Sequence, residues 1–285
     1  MRSALSLQTS RRLRSVPLQR RAVHPESATP RGGHPPGSVG RVHPIERLRA
    51  VARAREVDQA LLAREAASVL GAFAGDLPGL LTSCRRLLDR HPTAGALWWT
   101  CARLLSAGDV RAEARTIGDD LADAPAVTAL SLDLPDGAVV AVLPDVAGGS
   151  ELVYELTGWR DDMVVAHDPG ALHADREEPR VLLVEAGAAG PDGFVAAEGT
   201  TDEIAAARDA GVPVWLVVEV GRRLPSRLFD AVVGRAEAAA GPGAVPGRRQ
   251  DPVEVVPISE AERVVEPRRI DCPVPPELLR APGGW

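Results

Sequence analysis

Few stretches of this chain gather side chains able to hold an anion, move a proton or ligate a metal. The turn VLPDVAGGSE (142–151) is the best anion site by its chemistry. It holds Asp145. Gly148 and Gly149 let the backbone approach closely, and Ser150 begins a helix whose N-terminus favours negative charge. The same residues equally suit an ordinary strand-to-helix connection, and Glu151 in the first turn would complement the helix dipole in place of a phosphate. A second group is His167-Asp168-Pro169-Gly170, with His173, Asp175 and Glu177 in range by sequence. A metal would demand more ligands in good geometry, so a capping turn aspartate is the default at Asp168 and no metal is expected. Arg222-Arg223 could grip a phosphate bidentately or form a solvated pair at a helix start. The three cysteines, Cys84, Cys101 and Cys272, include no C-x-x-C pair, which argues against a disulfide framework and a zinc site. Cys84 and Cys101 lie on helical patterns and read as buried, inert thiols.

The elements that must position these residues are clearest over 181–218. VLLVEAG is a β-branched apolar run ending in glycine, as a buried parallel strand should be. A turn over 187–193 with three glycines and a proline follows. Thr200 or Thr201 caps a helix with Asp202 and Glu203 in its first turn, Gly211 ends it, and Pro213 opens the strand VPVWLVV. The stretch therefore reads as one βαβ crossover, and in parallel sheets such strand-to-helix turns line the ligand crevice. Upstream, 44–75, 77–90, 94–106 (with Thr93 a possible cap) and 109–123 read as helices. From about 127 strands and helices alternate: a strand over 139–143, a helix capped by Ser150, a strand in DDMVVAHD, a helical stretch over 221–240 and a strand at VEVVPI. Residues 241–252 read as a mobile loop, and PVPPELL cannot be regular structure. The expected fold class is α/β, an N-terminal helical domain followed by a Rossmann-like, mostly parallel sheet with flanking helices. The expected division is a disordered basic extension (1–42), a helical domain (43–125), an α/β domain (126–272) and an irregular tail (273–285).

Composition narrows the chemistry. The 285 residues contain no Lys and no Asn, and every basic side chain besides His is Arg, in what reads as a GC-rich bacterial coding bias. Without lysine there is no Schiff base, no P-loop and no lysine clamp, so an anion must be held by Arg, backbone N–H groups or helix N-termini. Residues 1–42 hold eight Arg against the single acid Glu26, which leaves roughly −13 on the remainder of a chain of net charge −6. The acidic body does not read as a nucleic-acid surface, no stretch has the length of a membrane span, and thiol usage fits a reduced, cytoplasmic setting.

Two segments taken together resemble a known family. HPTAGALWWTCARLL (91–105) is similar to the R-P-T-A-x-x-L-x-W segment of methylthioribose-1-phosphate isomerases. Residues 181–218 resemble that family's G-A-D-x-I-x-x-N-G … N-K-x-G-T … G-I-P block, and VEVVP with ERVVEP looks like the end of the same domain. The family includes the alpha, beta and delta subunits of eukaryotic translation initiation factor 2B, and the likeness covers roughly 45–270. It implies a helical domain, a Rossmann-like domain and dimers. It places His91 and Thr93 at the mouth of a substrate crevice, an aspartate such as Asp168 after its strand, and Gly187, Gly199 and Thr200 along the ligand-facing block.

The departures from the family pattern weigh more than the matches. Gly187 stands where the family's aspartate is expected, Ala197-Glu198 near its Asn-Lys pair, and no cysteine lies between Cys101 and Cys272. An isomerase needs an acid/base pair within reach of the sugar, and glycine and alanine supply none. The expectation is a non-catalytic, initiation-factor-2B-like homodimer, without cofactor, that binds a sugar phosphate or nucleotide through His91, Thr93, Asp145, Gly148, Gly149, Ser150, Asp168, Gly187, Gly199 and Thr200. The alternatives are an aldose–ketose isomerase using Asp168 and Glu198 (or Glu185), and a regulatory protein-interaction subunit.

Overall fold

The expected helix over 44–75 is two helices, α1 (Pro44–Val51) and α2 (Gln59–Leu70), because Asp58 starts a new one. Its Oδ1 accepts hydrogen bonds from the backbone N–H groups of Ala60 (2.7 Å) and Leu61 (3.0 Å), satisfying two of the donors that a helix start leaves open. This is a computed structural model that describes residues 44–54, 58–122, 125–146, 152–160, 162–166, 172, 178–241, 252–266 and 268–279. All of them belong to the unit Val42–Trp285, and the basic extension lies outside them. A 3-10 turn at Gly71–Phe73 leads to α3 (Leu77–Leu88), which Asp76 caps through the Gly79 N–H and which carries Pro78 in its first turn. Next come α4 (Gly95–Ser106) and α5 (Val110–Asp120), the latter capped by Asp109. Thr93 does not cap α4; the cap position is Ala94, without a side-chain bond. A further helix, α6 (Pro125–Asp133), follows. Its run PAVTALSLD shows no one-sided apolar stripe, so periodicity does not announce it.

The α/β part runs β1 (Val139–Leu143), α7 (Leu152–Trp159), β2 (Val164–Ala166), β3 (Arg180–Glu185), β4 (Ala188–Ala189), β5 (Gly193–Ala197), α8 (Thr200–Asp209), β6 (Val214–Val217), α9 (Ser226–Ala240), β7 (Val253–Pro257) and β8 (Arg263–Val265). Five of these strands form a parallel sheet in the order β2-β1-β3-β6-β8. The expected α/β class with a mostly parallel sheet is the class observed. The crossover from β3 to β6 is also present, but the glycine-rich stretch inside it is not a plain turn. It folds as the hairpin β4–β5, which pairs with β7 in a separate three-stranded antiparallel sheet. GFVAA is buried along most of its length and reads as a strand once β7 is there to pair with it. VEVVP is thus a strand, though of the side sheet; the fifth strand of the main sheet is the short RVV at 263–265.

Apolar side chains cover the parallel sheet on both faces, as an all-parallel sheet requires. One core gathers Val140, Val181 and Leu183 with α6 and α7, and another gathers Val139, Leu182, Val184 and Leu216 with α8 and the side sheet. A third core fills the helical cap and continues without a break to Ala188, Val195, Val220 and α9. The cap and the sheet therefore share buried surface. Trp98 and Trp99 lie at its centre, both fully buried as core residues, with Trp98 Nε1 donating to the Pro92 carbonyl at 2.8 Å. No helix among the described residues is long and apolar enough to cross a membrane.

Candidate functional site

The strand order locates the crevice before any side chain is considered. From β1 the chain steps to β2 on one side, then crosses to β3, β6 and β8 on the other. This 2-1-3-4-5 order reverses between β1 and β3, and ligands of open α/β sheets bind outside the carboxyl ends of the strands at that reversal. Asp145 follows β1, Glu185 ends β3, and Glu219 follows β6, so three acidic residues stand at the same end of three adjacent strands.

At their centre is Arg222, brought there by the turn after β6, where its N–H bonds the Glu219 carbonyl at 3.0 Å. Gly221 makes that turn possible: its φ is +79°, and a Cβ there would lie 3.0 Å from the Trp99 ring. The Arg222 side chain is 2 % exposed. It lies 3.1 Å from Asp145, 3.9 Å from Glu185 and 3.6 Å from Asp58, and donates to the Ala186 carbonyl at 3.0 Å. Burial opposes its charge, but Asp145, Glu185, Glu219 and Asp58 together hold its pKa above the ordinary arginine value. Neither sequence reading of Arg222-Arg223 survives. Arg222 is an internal strut whose donors face carboxylates and a carbonyl, and Arg223 pairs with Glu266 at 2.9 Å and donates to the Gly190 carbonyl.

The helical cap closes on this cluster. Gln59 Nε2 donates to Asp145 at 2.8 Å and to the Gly187 carbonyl at 3.1 Å, while its Oε1 accepts from the Ala96 N–H at 3.4 Å. Gly95 N–H bonds the same Gly187 carbonyl at 3.0 Å, and a Cβ on Gly95 would sit 2.8 Å from that oxygen. At Gly187 itself a Cβ would meet the Val195 carbonyl at 3.2 Å and the Thr93 carbonyl at 3.3 Å. A side chain at 187 would therefore start in tight contact with two backbone carbonyls. At Glu219 burial pushes the carboxyl pKa up, although Arg222 pulls the other way.

Of the residues expected at the site, Asp145 and Gly187 come together here, with Thr93 buried alongside. His91 is half-buried and anchors the cap: its Nε2 faces the Val51 carbonyl at 3.2 Å, and burial lowers its pKa. Gly199 and Thr200 stand at the end of β5 in the side sheet. Gly199, at φ +93°, is the cap position of α8, and Thr200 Oγ1 donates to the Ala197 carbonyl at 2.8 Å. Glu198 is exposed in the same turn. Gly148, Gly149, Ser150 and Asp168 lie outside the described residues, as do His167, His173, Asp175 and Glu177. Among the described residues no group of acids, histidines and cysteines is arranged to hold a metal. Sequence reasoning passed over Asp58, Gln59, Glu219 and the buried role of Arg222. Only the position of Glu219 and Arg222 just after a strand hinted at them.

No family model and no curated protein sequence matches the chain. Solved structures do. The translation initiation factor eIF-2B of Pyrococcus horikoshii OT3 aligns with 78% of this chain and 94% of its own at 13% identity and a TM-score of 0.56. The tetrameric eIF2B-beta2-delta2 complex of C. thermophilum aligns with 78% of this chain and 88% of its own (15% identity, TM-score 0.52). The 5-methylthioribose 1-phosphate isomerase of P. horikoshii OT3 aligns with 83% of this chain and 85% of its own (14% identity, TM-score 0.50). The resemblance seen in the sequence holds at the level of three-dimensional structure, and this chain has the fold shared by eIF-2B subunits and 5-methylthioribose 1-phosphate isomerase.

Proposed function

We propose that the chain is a non-catalytic protein on this fold that binds a sugar phosphate or nucleotide at the β1/β3 switch point and acts as a homodimer. The observation that carries the non-catalytic part is Gly187. It has no side chain to move a proton, and a Cβ there would press on the carbonyls of Thr93 and Val195. Carboxylates at strand ends suit sugar hydroxyls, as the acidic residue of dinucleotide folds suits a ribose. The acid surplus around Arg222 disfavours a phosphate beside it, so the sugar end faces Glu219. Calorimetry with ribose 5-phosphate and adenosine monophosphate, alongside NMR of methylthioribose 1-phosphate over a long incubation, tests this reading. Binding without conversion supports it; conversion overturns it.

The isomerase alternative draws on one observation, the raised pKa of Glu219 beside the arginine that also lies 3.9 Å from Glu185. It requires turnover that disappears in Glu219→Gln. A regulatory subunit would instead require stable partners other than a second copy of the chain.

A further inference from the structure

A second concavity lies away from the strand ends, between α1 and α3. It encloses about 550 Å³, within the roughly 300–1,000 Å³ usual for small-molecule sites. Its floor is apolar: Leu48 from α1, Ala52 just past its end, Phe73 from the 3-10 turn and the buried Leu87 from α3. Its rim is basic. Arg86 on α3 and Arg90 just past its end line it together with Arg49 on α1, which is bonded to Glu46 at 2.5 Å. The acid in the lining, Asp89, is already compensated by Arg235 at 3.1 Å. Arg86 is exposed and has no ion-pair partner among the described residues. An apolar floor under a cationic rim is complementary to a molecule with the converse layout, a hydrophobic body ending in an anionic group.

We propose that the α1/α3 groove is a binding site for a small amphipathic anion, an aryl or alkyl group carrying one phosphate or carboxylate. The hydrophobic body rests on Phe73 and Leu87, and the anion is held by Arg86 with Arg90 and Arg49 around it. The hydroxyls of Thr82 and Ser83 in the same lining offer further donors to the anion. The site is independent of the crevice at the strand ends, and neither proposal needs the other.

Calorimetry on the full chain with phenyl phosphate as probe tests it. Phenyl phosphate binds, its affinity falls with added salt, and inorganic phosphate and benzyl alcohol each bind at least ~10-fold more weakly, since each lacks one half of the recognition. Arg86→Gln, a change at an exposed position, weakens phenyl phosphate about 10-fold or more, the scale of one charge-assisted contact. Thr82→Trp, which fills the groove, abolishes the binding while circular dichroism and the melting temperature report an intact fold. Undiminished binding in Thr82→Trp places the probe elsewhere, in the crevice or on the surface, and overturns the proposal. Equal binding of inorganic phosphate, or no binding of phenyl phosphate, overturns it as well. Loss of ribose 5-phosphate binding with phenyl phosphate retained would fault only the crevice reading.

Discussion

Arg222 Nη1 lies 3.1 Å from Asp145, with both side chains almost completely removed from water. The pair joins the turn after β6 to the end of β1, across the intervening strand β3. With Gln59 bonded to the same aspartate, it also ties the helical cap to the sheet. A buried pair of this kind costs much to desolvate, and its removal from one side leaves the other charge stranded. Arg222→Met should therefore destabilise the protein by about 3–5 kcal/mol, because Asp145 and its acidic neighbours lose their counter-charge. The double variant Asp145→Asn/Arg222→Met should recover part of that loss. Urea unfolding followed by circular dichroism measures both, and full additivity of the two single effects would argue against coupling.

Gly187→Asp restores the residue type found in the resembling isomerase motif, and it should not restore chemistry. Its Cβ enters a space already within 3.2 Å of the Val195 carbonyl and 3.3 Å of the Thr93 carbonyl. The carboxylate would add charge to a region already rich in acid. A stability loss of roughly 1–3 kcal/mol from overpacking alone is expected, with no gain of turnover on methylthioribose 1-phosphate. A variant as stable as the parent would show that the two carbonyls give way without cost.

His91 makes stability depend on pH in a defined direction. Burial lowers its pKa below 6.5, so the unfolded chain binds the proton more readily than the folded one. Its contribution is complete above pH 6.5 and is lost as the pH falls through the window beneath that value. Thermal melts across mildly acidic pH should show the parent losing stability more steeply than His91→Gln, whose amide can still donate to the Val51 carbonyl. Parallel curves for the two proteins would remove His91 as the cause.

The thiols should be inert in the folded state. Cys84 and Cys101 are fully buried, burial raises Cys101 well above its ordinary pKa, and Cys272 is pushed up to about 12. Ellman's reagent at neutral pH should leave all three unmodified over minutes and titrate all three in guanidinium chloride. Rapid modification of the folded protein would contradict this arrangement.

Local chemistry in the sequence determined the element types well. Gly211 ends α8 at φ +67°, apolar runs make β1, β3 and β6, and LWWTCARLL makes a buried helix. These features act within a few residues, through backbone conformation and periodicity, and so can be read along the chain. The departure at 187, glycine in place of the aspartate of the resembling motif, was equally legible. Tertiary structure decided which strand each run would pair with. GFVAA and VEVVP could have joined the main sheet, and only their mutual pairing drew them into a side sheet and turned a supposed loop into a hairpin. It also decided the fate of the charges. Nothing near Arg222 in sequence distinguishes it from Arg223, yet one is sealed among Asp58, Asp145 and Glu185 while the other reaches a half-buried Glu266. Burial is set by distant chain segments converging on one strand end, and the cost of an uncompensated charge there selects the partners. Sequence spacing carries no record of that convergence.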